Sequence, residues 1–330
     1  MNKSELTHYL SELNDQNQVS IFVDETFNAR TIISHTAHDI QDFLRPANMK
    51  LMSQLPNGQH SCDPRTDKNL DLNWIGRPEG IDGNKSITRA ELAGEMGNFR
   101  QTDIDLLVKF RQEAIKHVDQ IDLSAFVAKY LAADDMPCKV DAFNLLMGES
   151  WGKKRKKTKA PKESIALVLP LSASCSVDSD VLAAAMAIVV AISEALSDAG
   201  FAIELWVTNK GRSVYNSGEV PNFFGAYKIK DTSDPFNDTL ISSAASAWFF
   251  RSGIFSMMRM LGPGDVSGGL GYPDVVYTDE EKAHITSLIG LNHAHVMKGW
   301  DAGSISAEKA MLHMISEITS ALSTYTSGEQ

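Results

Sequence analysis

Two serines in a short turn are the residues of this chain whose types and spacing best suit chemistry. Ser172 and Ser174 lie in the segment SASCSVDSD, which follows the apolar run SIALVLPL. Hydroxyls at alternate positions of a tight turn point to the same side, and hard cations such as Mg²⁺ take oxygen ligands. The spacing therefore predicts that both side chains can hold one such cation.

Several other chemistries have weaker support. The chain has neither G-x-G-x-x-G nor G-x-x-x-x-G-K-[ST], so neither glycine-based phosphate cradle is expected. Cys175 lies in the same turn, but no histidine is placed beside it by the sequence, which favours a small buried thiol. Two histidine pairs, His35 with His38 and His293 with His295, have no second ligand pair at zinc spacing and are interpreted as surface or loop pairs.

A dense basic block interrupts two acidic regions. Residues 153–162 (KKRKKTKAPK) carry seven basic and no acidic side chains, whereas residues 1–152 carry a net charge of -8 and residues 163–330 one of -10. Such a block cannot be buried without partners, so it is a solvated linker, a phosphate-contacting arm or a nuclear-import signal. For the arm, the nucleic-acid-binding residues are Lys153, Lys154, Arg155, Lys156, Lys157, Lys159 and Lys162.

The elements that position the Ser-rich turn are clear in the second half of the chain. Ser164–Leu171 predicts a strand buried on both faces, Val181–Leu196 a helix, and FAIELWVTN a parallel strand after it. Further strands are predicted at Ala226–Lys230 and His284–Leu291, and helices at Leu240–Met260 and Ser306–Leu322. This order predicts an α/β fold with a doubly wound sheet, whose sites gather at the carboxyl ends of its strands.

The first half is less informative. Leu6, Tyr9, Leu10 and Leu13 have helical spacing, residues 53–88 are rich in turn formers, and a helical pattern returns from about Ile87 to Leu131. We therefore expect three parts: a mainly helical N-terminal region over residues 1–135, a connector with the basic block over 136–163, and the α/β domain over 164–330. With 43% hydrophobic and 22% charged residues, the composition excludes a disordered, collagenous or coiled-coil chain.

The segment from Ser164 to Val207 resembles the opening of a von Willebrand factor A-type domain, a Rossmann-like sheet flanked by helices. In that family the first turn reads Asp-x-Ser-x-Ser and holds a metal, with a Thr and an Asp from later loops. Here Ser172 and Ser174 match, and Pro170 stands where the Asp belongs. The resemblance therefore implies a degenerate metal turn, with Mg²⁺ as the candidate cofactor.

The resemblance extends over roughly residues 135–322 to a little-characterised subgroup from phages and bacteria. The chain shares the K-D-x-x-D-P-[LF]-[ND] part of its turn motif, here Lys230 to Asn237 with Leu240 after it, and its E-[VL]-W strand, here Glu204-Leu205-Trp206. This implies that an acid of the second turn completes the metal site, whereas the alternative interpretation gives that turn only capping roles. The candidate metal ligands are Ser172, Ser174, Asp234, Asp238 and Thr239.

No catalytic constellation stands out, so we expect a non-enzymatic protein–protein interaction or assembly module with the Ser-rich turn at its contact surface. The resemblance implies a phage-encoded adaptor whose partner is a protein, such as an AAA+ ATPase or a second copy. The alternatives are a nucleic-acid-associated protein using residues 153–162 and a hydrolase using Cys175 or Asp234. The N-terminus has no apolar signal segment, and Val181–Ser193 is short for a membrane span, which predicts a cytoplasmic protein without membrane contact.

Overall fold

The computed structural model describes six strands and four helices. The strands are β1 (Val19–Asp24), β2 (Ala29–Ser34), β3 (Ser164–Pro170), β4 (Ala202–Arg212), β5 (Asn222–Lys230) and β6 (Ala294–Val296). The helices are α1 (Gln101–Val118), α2 (Ser179–Asp198), α3 (Asp279–Ile289) and α4 (Ala307–Ser327). The described residues are 19–35, 101–118, 164–171, 179–198, 201–212, 222–236, 241, 277–290, 294–297 and 306–327.

The strands form one mixed sheet in the order β1-β2-β5-β4-β3-β6. Strand β3 pairs in parallel with β4 on one side and with β6 on the other. Strand β5 is antiparallel to β4 and parallel to β2, and β1 is antiparallel to β2. The α/β class is thus confirmed, with a mixed sheet. We call the edge where β3, β4 and β6 end, and where β2 and β5 begin, the carboxyl edge.

Alternating side chains of the strands belong to two hydrophobic cores on opposite faces of the sheet. The larger core contains the inward residues of α1, α2 and α4 together with Ile165, Leu167 and Leu169 of β3. The smaller core contains Ala166 and Val168 of the same strand together with the inward residues of α3. Helices therefore cover both faces, as the continuous apolar run of β3 predicts for a strand buried on each side.

Helix α2 is the centre of the larger core. Every residue from Val181 to Ser193 is buried, because the helix packs between α1, α4 and the sheet. By length and composition the stretch Asp180–Asp198 could cross a membrane, but 78% of it is buried inside the protein, as in the core helix of a soluble protein. Its one polar core residue, Ser193, donates its hydroxyl to the carbonyl oxygen of Val189 at 2.6 Å.

Most predicted elements of the second half are confirmed. Strands β3 and β4 and helix α2 lie where the patterns place them, and β3 and β4 are parallel. Strand β5 starts at Asn222, four residues earlier than predicted. Ser306 caps α4, since its Oγ accepts the Lys309 amide at 3.3 Å. Of the predicted helix over 240–260, only residue 241 lies within the described part of the chain.

The predicted strand at His284–Leu291 is wrong, because most of this segment belongs to helix α3. A capping box starts the helix: Thr278 Oγ1 accepts the Glu281 amide, and Glu281 Oε2 accepts the Thr278 amide. Gly290 ends it in the left-handed conformation at φ 73°. The buried Ile285 and Ile289 are four residues apart, which fits a helical face as well as it fits a strand.

The division into a mainly helical region over residues 1–135, a connector over 136–163 and an α/β domain over 164–330 stays a prediction, but two early elements pack with the later ones. Residues 19–34 form a β-hairpin whose strand β2 pairs with β5, and Leu107, Phe110 and Ala114 of α1 share the core of α2. Arg111 of α1 makes an ion pair with Glu194 of α2. Both early elements thus belong to the same folded unit as β3–β6. The helical pattern at Leu6–Leu13 and the connector over 136–163 lie outside the described residues.

Gly225 in β5 gives the first testable prediction. A Cβ at this position would lie 2.5 Å from Asn209 Oδ1 and 2.7 Å from Tyr227 Cε2, both on fully buried side chains. Because neither neighbour can move into solvent, we expect Gly225→Ala to lower the free energy of unfolding by about 1–3 kcal/mol, measured by denaturant titration. The cost should shrink in a Tyr227→Leu background.

Gly290→Ala is the matched control. No atom of the described residues lies within 4 Å of its Cβ position, so its cost is conformational strain at positive φ and should not depend on residue 227. If Gly225→Ala costs the same with Tyr227 and with leucine there, steric exclusion by the Tyr227 side chain is not the reason for this glycine.

Candidate functional site

The carboxyl edge joins segments that lie far apart in the sequence. Strand β3 leaves it after Pro170, and the Leu171 amide donates to the Thr208 carbonyl oxygen of β4 at 2.7 Å. Strand β4 leaves it at Arg212, and β6 at Val296. The β1–β2 turn, residues 25–28, and the start of α3 lie at the same edge. Five segments from distant parts of the chain therefore converge there.

Phe27, in the β1–β2 turn, is the central side chain of this edge. It is 3% exposed, and its ring stacks on that of Phe224 with centroids 4.4 Å apart. The Tyr277 and His284 rings flank it with centroids at 6.5 and 5.2 Å. Lys210 Nζ lies 5.6 Å from the ring centroid, within the range of a cation–π contact. The turn is thus anchored by an aromatic side chain in a mixed aromatic and cationic pocket.

Charged pairs surround this pocket. Asp24 is buried; its Oδ1 accepts the Phe27 amide at 3.1 Å, and its Oδ2 lies 2.7 Å from His284 Nε2, which therefore donates to the carboxylate. Lys210 Nζ binds Glu281 Oε1 at 2.5 Å, the same carboxylate that caps α3. Each pair joins two elements, so the charges of this edge hold the hairpin, β4 and α3 together.

Two further hydrogen bonds complete the arrangement. The Tyr277 hydroxyl donates to Thr208 Oγ1 at 3.0 Å, in a buried position. Asn222 Nδ2 donates to the Phe27 carbonyl oxygen at 3.0 Å, across 195 positions of sequence. Acid–base catalysis often uses a histidine beside an aspartate, and it also uses lysine and tyrosine. Here each of these side chains bonds to another protein group, which favours a structural role in which they hold the edge together.

The predicted metal site is only partly within the described residues. Ser172, Ser174, Asp238 and Thr239 lie outside them, as do Lys153, Lys154, Arg155, Lys156, Lys157, Lys159 and Lys162 of the basic block. Asp234 is described, and it follows β5, whose end Lys230 pairs with Leu205 of β4. Leu171, from which the Ser-rich turn leaves, instead pairs with Thr208.

Asp234 therefore lies at the edge opposite to the one where the Ser-rich turn begins. The β4 partners of the two positions, Thr208 for Leu171 and Leu205 for Lys230, are three residues apart, which is about 10 Å along a strand. After Lys230 the chain continues away from the carboxyl edge. Residues 172–178 of the Ser-rich turn lie outside the described residues, so the expected contribution of Asp234 to a site with Ser172 and Ser174 stays a prediction. Within the described ranges, no three His, Cys, Asp or Glu side chains are grouped to hold a metal.

The two motifs that carried the phage-subgroup resemblance meet in space at that opposite edge. Glu204 accepts the Trp206 indole N–H at 2.9 Å and an ammonium hydrogen bond from Lys228 at 3.4 Å. Lys228 also binds Asp231 at 3.1 Å, and its Nζ lies 5.2 Å from the Trp206 ring centroid. The E-L-W strand and the K-D turn thus form one cluster of paired charges around an indole.

Asp231 and Lys230 have the roles of a structured turn. Asp231 accepts a hydrogen bond from the Thr232 hydroxyl, and its carbonyl oxygen accepts the Asp234 amide. Although burial raises the pKa of Asp231, hydrogen bonds and the Lys228 charge outweigh it and the pKa is lowered overall. Lys230 is buried and donates to the Ile203 and Asp231 carbonyl oxygens; burial lowers its pKa against the attraction of nearby acids. Turn chemistry accounts for these two residues.

One histidine of each pair lies within the described residues. His35 lies after β2 and its Nε2 is 2.9 Å from Ser20 Oγ; burial, and then the Lys228 charge, lower its pKa. His38 and His293 lie outside the described residues. His295 is in β6, and burial lowers its pKa to about 4, against the attraction of Glu317 and with the repulsion of Lys282. Its Nε2 is buried, and no group of the described residues forms a hydrogen bond with it.

Sequence reasoning missed Asp24, Phe27, Lys210, Tyr277 and His284. The alternating runs VSIFV and ARTIIS around D-E-T-F-N were an available hairpin signal. Asn28 adopts a left-handed φ of 44°, as asparagine does in such turns. A further missed pattern is G-E-S-W-G at residues 148–152, which fits the nucleophile-elbow spacing G-x-S-x-G. It lies outside the described residues.

Comparison with known proteins identifies one similarity. The model of a family described as "Domain of unknown function (DUF7192)" matches residues 140–295. The match spans β3 to β5, α2 and α3, and it leaves out the β1–β2 hairpin, α1 and α4. No curated protein and no solved structure matches the chain. The description names no activity, so the similarity does not assign a function.

His295 gives a prediction about pH. Its pKa is lower in the folded protein than the ordinary value of 6.5, so the unfolded chain binds more protons between pH 6.5 and about 4. Folding stability should therefore fall as the pH drops through this window, by about 3 kcal/mol in total. His295→Leu should remove that part of the slope, as measured by the free energy of unfolding at pH 7 and pH 5.

The leucine also avoids the cost of a buried nitrogen without a partner. An unchanged dependence on pH in His295→Leu would show that His295 does not bind fewer protons in the folded state.

Proposed function

We propose that this chain is a non-enzymatic protein–protein interaction or assembly module whose contact surface is the carboxyl edge, with the Ser-rich turn as part of it. The observation that carries the proposal is the convergence of five segments at one edge of a braced sheet. Loops held by a rigid scaffold are where proteins most often bind partners, and open α/β sheets place their sites outside the carboxyl ends of the strands.

A von Willebrand A-type architecture is part of the proposal. It is supported by the strand–helix–strand unit β3-α2-β4 with parallel strands and by the place of β3 inside the sheet. The Ser-rich turn begins directly after this strand. The resemblance to a phage and bacterial subgroup adds that the protein is a phage-encoded assembly component in the host cytoplasm, with an AAA+ ATPase or a second copy as its partner.

Binding by this edge need not depend on a metal. Pro170 has no ligating group where the resembling family has an Asp, and Asp234 follows the opposite end of β5. In our proposal, Ser172 and Ser174 therefore contribute hydroxyl groups to the partner contact, and Mg²⁺ is an accessory ligand.

The proposal predicts that substitutions at the carboxyl edge abolish partner binding and that a substitution at the opposite edge does not. Ser172→Arg combined with Ser174→Arg should abolish recovery of a protein that co-purifies with the wild-type chain after nuclease treatment, because two bulky cations would block a surface made for hydroxyls. Ser233→Arg, which lies in the turn after β5 at the opposite edge, is the matched control and should retain the partner. Recovery is measured by quantitative mass spectrometry.

The thermal midpoints of all variants must equal that of the wild type for the comparison to count. Equal recovery of the partner by the double variant and the control would remove the carboxyl edge as the contact surface.

A second hypothesis rests on the density of charge in residues 153–162. Seven basic side chains on ten residues suit a phosphate-contacting arm, despite the net charge of -11 of the whole chain. Binding to single- or double-stranded DNA should then weaken steeply with salt. Contact with six or seven phosphates implies a loss of about 10³-fold or more in affinity between 50 and 200 mM salt.

Lys153→Glu, Lys154→Glu, Arg155→Glu, Lys156→Glu and Lys157→Glu together should abolish this binding, as followed by fluorescence anisotropy of a labelled oligonucleotide. Under the interaction-module proposal the same five changes leave the protein partner bound. Binding of the oligonucleotide that is insensitive to salt and to charge reversal would refute the arm.

A further inference from the structure

The β1–β2 hairpin sits on the rest of the protein as a peptide ligand sits on a receptor. Within the described part of the chain, the hairpin end contacts five residues far away in the sequence, which we call the hairpin socket: Lys210, Asn222, Phe224, Tyr277 and His284. The hairpin contributes Asp24, Phe27 and the strand β2. The boundary between the two parts is thus defined by named side chains on each side.

The socket has the anatomy of a recognition site. One buried aromatic anchor, Phe27, fills a pocket of two aromatic rings, a histidine and a lysine. A buried carboxylate, Asp24, meets His284 at 2.7 Å beside it. Central aromatic anchors and desolvated charge pairs are the groups that dominate binding energy at protein interfaces.

Main-chain pairing gives the same site a second component. Strand β2 adds to β5 in parallel over six residue pairs, from Ala29 with Asn222 to Ser34 with Tyr227. Strand addition at a sheet edge is a common mode of peptide recognition, in which ladder hydrogen bonds supply affinity and side-chain pockets supply specificity. The hairpin is therefore held by strand addition and by an anchor pocket together.

The number of residues between the hairpin and α1 is large enough for the hairpin to come from another molecule. Residues 35–100 separate the hairpin from α1, the next described element that packs on the common core. At more than 3 Å per extended residue, this length of chain can reach a neighbouring molecule. A hairpin from a second copy would make the same contacts as the molecule's own hairpin, so exchange costs no interface energy.

We infer that the hairpin is an exchangeable element and that the hairpin socket of one copy binds the hairpin of a second copy. Asp24 and Phe27 of each copy then complete the socket of the other, which gives a closed dimer. This inference goes beyond the proposed function, since it uses side chains of the hairpin and its socket and does not involve the Ser-rich turn. Exchange and partner capture can consequently fail independently.

Charge reversal across the Asp24–His284 contact tests the exchange. One full-length chain carries Asp24→Arg and a second, with a different tag, carries His284→Asp. Neither chain alone keeps the native contact, because the arginine at position 24 faces a histidine in the first chain and two carboxylates face each other in the second. In a mixed dimer both contacts are attractive, because the arginine at position 24 meets the new carboxylate at position 284, and the unchanged Asp24 meets the unchanged His284.

We expect native mass spectrometry of the mixture to show at least ten times more dimer with two tags than either variant forms alone. The thermal midpoint of the mixture should recover most of what each variant loses. A single chain with both substitutions is the control, and it should regain the midpoint without mixing. The inference would be overturned if the doubly substituted chain regains its thermal midpoint and the mixture of single variants still forms no mixed dimer.

A second measurement uses wild-type chains, so that it does not depend on the folding of variants. Mixing tagged and untagged protein at high concentration should give a dimer with one tag, and an excess of a synthetic peptide of residues 19–35 should dissociate it. The same peptide with Phe27→Ala should compete at least tenfold less well. Absence of a dimer, or a dimer that neither peptide affects, would overturn the inference.

Discussion

The burial of helix α2 is the constraint on which the rest of this structure depends. A helix that is apolar around its whole circumference must be covered on every side, and each large aliphatic side chain removed from water contributes about 1.5–3 kcal/mol. Strands β3 and β4 cover one side, α4 a second and α1 a third. Because α1 belongs to the early part of the chain, this single requirement joins residues before 120 to the sheet that follows residue 163.

Charge is arranged around this core as pairs that fasten elements to one another. At the carboxyl edge Asp24 with His284 and Lys210 with Glu281 connect the hairpin, β4 and α3. At the opposite edge Lys228 joins Glu204 of β4 to Asp231 of the following turn. Paired and hydrogen-bonded in this way, the buried charges avoid most of the penalty that an isolated buried ion would pay. These ion pairs thus hold the strands of the sheet to the neighbouring hairpin, helix and turn.

The sheet separates two groups of residues that the sequence analysis assigns to one candidate metal site. The K-D turn follows β5, whereas the Ser-rich turn begins at Leu171 after β3, and the antiparallel return of β5 puts the K-D turn and Leu171 at opposite edges. The first is a structural cluster around Trp206, and the second begins where five segments converge. The proposed binding role of the carboxyl edge rests on this geometry more than on the resemblance of the metal turn.

The sequence by itself determined the elements whose signals are local. The apolar run of β3, the apolar helix α2, the alternation along β4 and the cap at Ser306 depend on neighbours within a few residues, and all four are confirmed. The class of the fold follows from their order. Helix α3 was mistaken for a strand because its apolar spacing fits both periods, although the sequence shows the capping box at Thr278 and Glu281.

Only the tertiary structure decided the site. Strand β2 pairs with β5, and Phe27 enters the pocket formed by Lys210, Phe224, Tyr277 and His284, far along the chain. No local pattern carries such a pairing, because its register is set by side chains that become neighbours only when the sheet has formed.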